Sequence, residues 1–220
     1  MSDTWWSINW LVHRIMNRHL AHVARAHAQG RLLDVGCGEK PYRAIFAPFV
    51  TEHVGLDHAG TQHACDAIDL YGYADAIPAE AMSFDTVLCT AVLEHVEEPA
   101  RAIEEMHRVL RPGGVLILTA PLFWQVHEAP RDFYRYTEYG LRYLFEKAGF
   151  TIVELTPLSG FVVTFTQAFV YYVHGLLPRW LVPVVAWPLR AVIQAVGYAL
   201  APMDRSTDFT WMYLVVAQKL

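Results

Sequence analysis

The stretch "LLDVGCGEKPYR", Leu32 to Arg43, decides the fold. A short apolar run ends in an acid and is followed by Gly36 and Gly38. Glycine permits a positive φ angle and leaves room for a ligand to approach the backbone. Open parallel sheets bind ligands at the carboxyl ends of their strands, near the point where the strand order reverses. The stretch therefore predicts the first strand and the ligand-binding loop of an α/β sheet.

Length and composition limit the other possibilities. The chain has 220 residues, which suits one domain with a full core or one domain with an elaboration. The formal charge of −5 gives no general reason to expect a nucleic-acid partner. Cys37, Cys65 and Cys89 are widely spaced and form neither a disulfide framework nor a zinc pattern. A reducing compartment and a cytoplasmic location are expected, because we find no convincing secretory signal.

Strands alternate with helices along the chain, which favours a doubly wound, mainly parallel sheet. Residues 31–160 are predicted to form the core, and residues 204–220 to supply its closing strand. The predicted strands are Arg31–Val35, His53–Asp57, Phe84–Cys89, Val115–Thr119 and a strand within "WMYLVVAQKL". The predicted helical segments are a first turn within Pro41–Phe49, a helix over Glu98–Leu110 and a helix from Thr137 to Ala148. Pro112-Gly113-Gly114 is predicted to end the helix over Glu98–Leu110.

Residues 1–30 predict one amphipathic helix from about Trp5 to Gln29. Apolar residues recur at helical spacing, and Arg14, Arg18 and Arg25 fall on another face. One interpretation is a helix packed on the following domain. The other is a helix on a membrane surface, with tryptophans at the interface and cations towards anionic headgroups.

Residues 161–203 interrupt the alternation with an apolar, almost uncharged segment that Pro178, Pro183 and Pro188 divide. A membrane-spanning helix needs about 20 unbroken apolar residues, so a helical insertion is predicted. Three interpretations remain open: a helical cap that packs on the core and can also offer a homodimer face, a lining for a hydrophobic or lipid-linked acceptor, or a peripheral membrane contact. Arg179 and Trp180 beside proline fit an interfacial segment.

The cofactor is predicted from the first glycine loop and from Asp57, which follows about twenty residues later. An acid at that place accepts hydrogen bonds from ribose hydroxyls. A pyrophosphate site usually needs Gly-x-Gly-x-x-Gly, but its third glycine is replaced by Pro41. Asp34 before the loop would repel phosphate and attract a cation. S-adenosylmethionine fits these features, because it is an adenosine without phosphates that carries a sulfonium and an amino group.

Four ordered blocks carry a family resemblance: "LLDVGCGEKPYR", "VGLDH", "SFDTVLCTAVLEHVEEP" and "RVLRPGGVLILTAP". The chain resembles the class I S-adenosylmethionine-dependent methyltransferases, in the type 11-like group related to ubiquinone and menaquinone methyltransferases. The resemblance covers roughly residues 31–150. It implies a Rossmann-like, seven-stranded, mainly parallel sheet and an enzyme that uses S-adenosylmethionine.

The resemblance also assigns cofactor contacts. It places the methionine moiety at the loop after the first strand, the ribose at Asp57 and the adenine near "GYADAIP". The cofactor's amino group is expected beside the end of the strand that closes with Thr90. The implied cofactor residues are Asp34, Gly36, Cys37, Gly38, Asp57, Ala74, Asp75, Cys89 and Thr90.

The acceptor site is expected in "HEAPRDFYRYTEYG", His127 to Gly140, which follows the strand at the same sheet edge. His127 is the first candidate for a general base, and His95 in "LEHVEEP" is its rival. Tyr134, Arg135 and Tyr136 are candidates to shape or anchor the acceptor, and Arg131 to bind a phosphate or carboxylate. The alternative is an internal ion-pair network that holds the loop. The spacing of the histidines predicts no metal site.

The sequence thus predicts methyl transfer to a small-molecule acceptor, most readily to an oxygen of a hydrophobic or lipid-linked compound at the inner face of a membrane. Nitrogen or carbon methylation of a soluble compound is the alternative. Two rivals of another class are a nicotinamide-dependent oxidoreductase and a non-catalytic, methyltransferase-like membrane scaffold.

Overall fold

A computed structural model of the protein describes residues 7–60, 65–176, 178 and 182–220. Trp5, Arg179 and Trp180 lie outside the described residues. The chain forms two compact units. The sheet unit contains Leu20–Pro121, Val126–Thr156 and Tyr213–Leu220, and the accessory unit contains residues 7–19, Leu122–Gln125 and Pro157–Met212.

The regular elements alternate as the sequence predicts. The α-helices of the described residues are α1 (Trp10–His27), α2 (Arg43–Phe46), α3 (Pro99–Val109), α4 (Glu138–Lys147), α5 (Phe161–Leu176) and α6 (Trp187–Leu200). The strands are β1 (Arg31–Val35), β2 (Glu52–Asp57), β3 (Leu70–Tyr71), β4 (Phe84–Thr90), β5 (Leu110–Pro121), β6 (Phe150–Pro157) and β7 (Met212–Lys219).

The seven strands form one sheet in the order β3-β2-β1-β4-β5-β7-β6. Strand β1 pairs in parallel with β2 on one side and with β4 on the other, so the strand order reverses beside β1. Pairs β2–β3 and β4–β5 are also parallel. The predicted α/β class is confirmed, and the loop after β1 lies at the switch point where such sheets bind ligands.

Strand β1 and helix α3 show why the sheet is stable. Leu32 to Val35 are all buried, as expected for a strand covered on both faces. In α3, Ile103 and Met106 are fully buried on one face of the helix. Burying a side chain of this size contributes roughly 1.5–3 kcal/mol. Helix α4 begins as predicted, because the Thr137 side chain accepts a hydrogen bond from the backbone N–H of Gly140.

The Pro112-Gly113-Gly114 segment is an exception to the predicted boundaries. Helix α3 ends at Val109, and Leu110 is already extended, so the segment lies within β5. The pairing of β5 with β4 shifts between Phe84 and Thr86, which absorbs the extra residues in a bulge. Gly113 has a φ of +80°, the conformation for which glycine suits such a bulge. The short β3 and the strand β6 were not individually predicted.

Helices α5 and α6 of the accessory unit bury polar side chains. Gln167 and Gln194 are fully buried, and Arg190 is 4% exposed. The amide of Gln167 donates to the carbonyl of Ile8, and that of Gln194 to the carbonyl of Ser7. The helical run Val184–Met203 has the length and apolar composition that could cross a membrane, and only 22% of it is buried.

Candidate active site

The loop after β1 needs glycine for steric reasons. Gly36 has a φ of +67° and Gly38 a φ of +48°. A Cβ atom on Gly36 would lie 2.3 Å from a methyl carbon of Val92, a distance that no side chain tolerates. The N–H groups of Gly36 and Cys37 both donate to the carbonyl of Leu56, at 2.8 and 3.0 Å. The loop is therefore fixed against the end of β2.

Asp57 ends β2 and faces this loop. Its Oδ2 accepts a hydrogen bond from the N–H of Gly38 at 2.9 Å, and its Oδ1 accepts one from the N–H of His58 at 2.8 Å. The carboxylate is 7% exposed, so its orientation is fixed. Each carboxylate oxygen has a further lone pair, so Asp57 can still accept hydrogen bonds from a diol.

Asp34 is a buried acid next to a histidine. Its Oδ2 lies 2.9 Å from Nε2 of His53. Burial raises the pKa of the Asp34 carboxyl, and the contact with His53 opposes that rise. The contact of His53 with Asp34 was not predicted from the sequence, because the two residues lie on neighbouring strands, β2 and β1.

Lys40 occupies the last position of an alternating Gly-x-Gly-x-Gly pattern, and its side chain has a structural role. Its backbone is left-handed, with a φ of +51°. Its ammonium donates to Oδ2 of Asp69 at 2.6 Å and to the carbonyl of His53 at 3.0 Å. A Cβ atom on Gly55 would lie 2.5 Å from Cε of Lys40, so Gly55 makes space for this side chain.

The segment predicted to contact adenine lies in a turn. An isolated bridge pairs Tyr73 with Ala76, and Ala74 and Asp75 lie between them. The Tyr73 ring stacks on the His58 ring, with centroids 5.8 Å apart and planes 7° from parallel. His58 follows Asp57 directly, so this stack connects the turn with the end of β2. The pair was missed by sequence reasoning, because neither residue belongs to a recognisable spacing.

Cys89 and Thr90 end β4, which pairs with β1. Cys89 lies opposite Val35, so the ends of the two strands are adjacent. The Cys89 side chain is fully buried, and burial raises the pKa of its thiol well above the usual range. A thiol of this kind is chemically inert, so Cys89 is suited to shaping the site rather than to nucleophilic chemistry.

His127 lies in the loop after β5, where it contacts the carboxylate of Asp132. Its Nδ1 lies 3.4 Å from Oδ2 of Asp132, and its backbone N–H donates to the same oxygen at 2.9 Å. Arg135 donates to both oxygens of Asp132, at 2.6 and 2.8 Å. The hydrogen bond from Arg135 holds the pKa of Asp132 well below its usual range. An ionised Asp132 orients the imidazole and stabilises its protonated form, as a general base requires.

Glu94 and His95 lie next to His127. The rings of His95 and His127 are 4.7 Å apart, and Nδ1 of His95 is 2.5 Å from the carbonyl oxygen of Arg131. Glu94 is 1% exposed, and neither of its carboxyl oxygens has a hydrogen-bond partner among the described residues. Burial raises the pKa of Glu94 to about 8. Sequence reasoning missed Glu94, since an acid in a short turn is usually exposed.

The other acceptor candidates make internal contacts. Tyr136 is buried, and its hydroxyl donates to the carbonyl of Leu93 at 2.9 Å. The Tyr134 hydroxyl donates to the carbonyl of Glu97 at 3.0 Å, and Arg131 lies 3.4 Å from a carboxyl oxygen of the same Glu97. These contacts favour a network that holds the loop, and they leave Arg131 and Tyr134 at its surface.

Comparisons with known proteins find a matching family and several relatives. Residues 33–118 match a family described as "Methyltransferase domain". A "probable S-adenosylmethionine-dependent methyltransferase" of Mycolicibacterium smegmatis is 31% identical over 116 residues, which cover 50% of this chain and 44% of that protein. The demethylmenaquinone methyltransferase of Staphylococcus haemolyticus is 25% identical over 190 residues, which cover 67% of this chain and 80% of that protein.

The fold also has counterparts among solved structures. The crystal structure of the [4+2]-cyclase SpnF superimposes with a TM-score of 0.61 at 23% identity, covering 93% of this chain and 79% of that one. The chain spans about half the length of several curated relatives that it matches. The structural likeness describes the fold, whereas the reaction depends on the residues of the site.

Proposed function

Because the chain belongs to the class I S-adenosylmethionine-dependent methyltransferases, we propose that it transfers the methyl group of S-adenosylmethionine to an oxygen of a hydrophobic or lipid-linked small molecule. The observation that carries the proposal is the joined pair of Gly38 and Asp57. Gly38 has no side chain, so a cofactor can approach its backbone closely, and Asp57 offers an oriented carboxylate to the ribose. The cofactor supplies the electrophilic methyl, so the protein has to supply alignment and surroundings.

Each cofactor role follows from the chemistry of the residue. Asp57 is proposed to accept hydrogen bonds from the ribose hydroxyls. The buried charge of Asp34 is proposed to favour the cationic methionine end of the cofactor. The His58–Tyr73 stack offers a flat ring surface beside Asp57, which supports adenine binding at Ala74 and Asp75.

His127 is proposed as the proton acceptor for the acceptor hydroxyl. Methyl transfer to oxygen forms a new C–O bond while the C–S bond breaks, and the sulfonium keeps the bonding electrons as a neutral thioether. The acceptor loses its proton, which the imidazole takes. The carboxylate of Asp132 then stabilises the imidazolium. A positioned general base of this kind contributes about 10²–10⁴-fold to the rate.

The accessory unit supports an apolar acceptor, because its helix α6 buries polar residues and exposes apolar ones. Its buried face carries Arg190, Gln194 and Gly197. Its exposed face carries apolar residues at intervals of three and four. Their exposed fractions are 40% for Leu189, 60% for Val192, 53% for Val196 and 43% for Leu200. A helix in water normally shows the opposite pattern, whereas polar residues that face inward are typical of helices in lipid.

Helix α5 repeats this inversion. It buries Gln167 and Thr164 and exposes Phe165, Phe169 and Tyr172. A Cβ atom on Gly197 of α6 would lie 2.6 Å from Thr166 of α5, so the two helices pack through a small residue. Close helix packing through small residues is a feature of helix pairs in membranes. The two exposed faces thus support the proposal that the accessory unit inserts into one leaflet and meets a lipid-linked acceptor there.

Positive charge lies beside this apolar surface. A cleft of about 980 Å³ in the accessory unit is lined by Arg14, Arg18 and Arg205 among other residues. The guanidinium of Arg14 lies 5.3 Å from the ring centre of Tyr198 on α6. Cations next to exposed apolar side chains are complementary to anionic headgroups at a membrane surface. This charge distribution favours an anionic lipid surface over a second copy of the chain as the cover of the helices.

Incubation with S-adenosylmethionine carrying a labelled methyl group tests the proposed reaction. Lipid extracts containing quinone precursors and water-soluble phenols are offered as separate acceptors. Label transferred to the organic-soluble fraction is expected, and mass spectrometry should place it on oxygen. Label that appears only on water-soluble phenols would contradict the lipid-linked acceptor. No transfer to any acceptor by cofactor-binding protein would contradict the proposed O-methylation.

A further inference from the structure

Glu94, His95 and His127 bring three potential metal ligands together in the sheet unit. Each offers one ligand atom, and these atoms all lie within 4.8 Å of one another. His127 is separated from the other two by more than thirty positions in the sequence. We propose that the three side chains form a binding site for one divalent transition-metal ion, with Zn²⁺ as the best match.

The ligand types determine the class of metal. Two imidazole nitrogens and one carboxylate oxygen suit Zn²⁺ and its neighbours, whereas Mg²⁺ and Ca²⁺ prefer oxygen ligands alone. Ligand atoms about 2.0–2.1 Å from a tetrahedral zinc lie roughly 3.4 Å apart. Small side-chain rotations would therefore close the cluster around an ion, and a water or acceptor oxygen would take the fourth position.

The state of Glu94 is the second observation that points to a cation. Its carboxyl group is 1% exposed, and both oxygens lack a hydrogen-bond partner among the described residues. A buried carboxylate without a partner is costly, and it is relieved either by a proton or by a nearby cation. A bound dication would offset the buried charge and would provide a partner for the carboxylate oxygen that coordinates it.

The surrounding contacts prepare both histidines for metal binding. Nδ1 of His95 faces the carbonyl oxygen of Arg131, and Nδ1 of His127 faces the carboxylate of Asp132. Metal-binding histidines commonly use one ring nitrogen for such a carbonyl or carboxylate, which fixes the tautomer and raises the basicity of the other nitrogen. In both rings, Nδ1 faces an oxygen acceptor.

The local charges also favour a dication. Asp132 is neutralised by its pair with Arg135. Glu128 adds a carboxylate whose oxygen lies 3.9 Å from Nε2 of His95. Glu94 and Glu128 therefore leave an excess of negative charge around the two rings when they are ionised.

Metal binding and proton abstraction exclude each other at His127. A neutral imidazole has one lone pair, and both processes need it. Zinc is therefore expected to inhibit turnover reversibly. The binding site itself does not depend on the proposed methyl transfer, since it can be measured without cofactor or acceptor.

Calorimetric titration of chelator-treated full-length protein with Zn²⁺ tests this site, with Mg²⁺ as the comparison ion. One tight zinc site per chain and no comparable Mg²⁺ binding are expected. Glu94→Gln and His127→Gln should each weaken zinc binding at least about tenfold, and Asp132→Asn about 10–100-fold. The controls His22→Gln and Glu146→Gln change exposed residues outside the cluster and should leave the zinc affinity unchanged.

A visible spectrum of the Co²⁺-substituted protein supplies a second readout. Intense visible absorption, as four-coordinate Co²⁺ produces, is expected in the wild type and should be lost in His127→Gln. His127 is partly exposed, so this variant is expected to fold even if Glu94→Gln does not. Zinc binding that is absent, or equal in the wild type and His127→Gln, would overturn the site. Faster turnover with zinc would overturn the competition.

Discussion

The backbone N–H of Gly38 donates a hydrogen bond to Oδ2 of Asp57 across 2.9 Å. This bond joins the loop after β1 to the end of β2, and so connects the two halves of the proposed cofactor site. The loop can approach a ligand only because Gly36 and Gly38 adopt positive φ angles there. The carboxylate is oriented before a cofactor arrives, so little ordering is needed on binding.

Replacing Asp57 by alanine is expected to weaken cofactor binding. The loss of charge-assisted hydrogen bonds costs roughly 1.5–3 kcal/mol, or about 10–150-fold in Kd. Asp57→Asn keeps an acceptor for Gly38 but loses the charge, so its effect should be intermediate. Calorimetry with S-adenosylhomocysteine measures both variants. An unchanged Kd in Asp57→Ala would show that the ribose is bound elsewhere.

Replacing His127 by glutamine is expected to reduce kcat by about 10²–10⁴-fold, because the proton acceptor is lost. The Kd for the cofactor should change less than threefold. Asp132→Asn keeps the imidazole but removes the charge that stabilises its protonated form. Its kcat should therefore fall, while its affinity for the cofactor should not change. Single-turnover kinetics separates these effects. Full activity in His127→Gln would exclude His127 as the base.

Cofactor binding is expected to release a proton from Asp34. Burial raises the pKa of this carboxyl above its ordinary value of 3.8 in the free protein, while a nearby sulfonium or ammonium favours the charged form. Affinity should therefore increase as the pH rises through the raised pKa, and then level off. His53, Lys40 and Asp57 also act on this carboxyl.

Calorimetry in buffers of different ionisation enthalpy measures the released proton. Asp34→Asn cannot release it, so the pH dependence attributed to this carboxyl should disappear in that variant. Equal proton release by the wild type and Asp34→Asn would assign the effect to another group.

Charges placed on the exposed face of α6 are expected to reduce membrane binding. Val192→Glu combined with Val196→Glu should lower partitioning to anionic vesicles at least about tenfold. The variant loses two exposed apolar side chains and gains two negative charges, which the anionic headgroups repel. Val153→Glu is the matched control, since Val153 is a comparably exposed valine on β6 of the sheet unit. Light scattering of the wild type tests the alternative. A stable dimer that binds no vesicles would contradict the membrane contact.

The loop after β1 was predictable from sequence because its determinants are local. The spacing of Gly36, Gly38 and Asp57 is determined by one strand, its loop and the next strand. The structure brings Gly38 and Asp57 into contact, as such a unit predicts. The alternation of strands and helices along the chain also predicted the α/β sheet. The resemblance, rather than the pattern of strands, supplied the number seven.

Residues that meet through tertiary structure could not be predicted in this way. The contact of Lys40 with Asp69 depends on the space that Gly55 leaves. Glu94 and His127 meet because the loop after β5 returns to the turn after β4. The composition of α6 shows that the helix is mainly apolar, but it does not show that Arg190 and Gln194 are buried. Only packing decides which face of such a helix is covered.

Calorimetric titration of the folded protein with S-adenosylmethionine and S-adenosylhomocysteine tests the central claim most directly. One site per chain for each ligand is expected, and Asp57→Ala should weaken both. No binding of either ligand by folded protein would contradict the account.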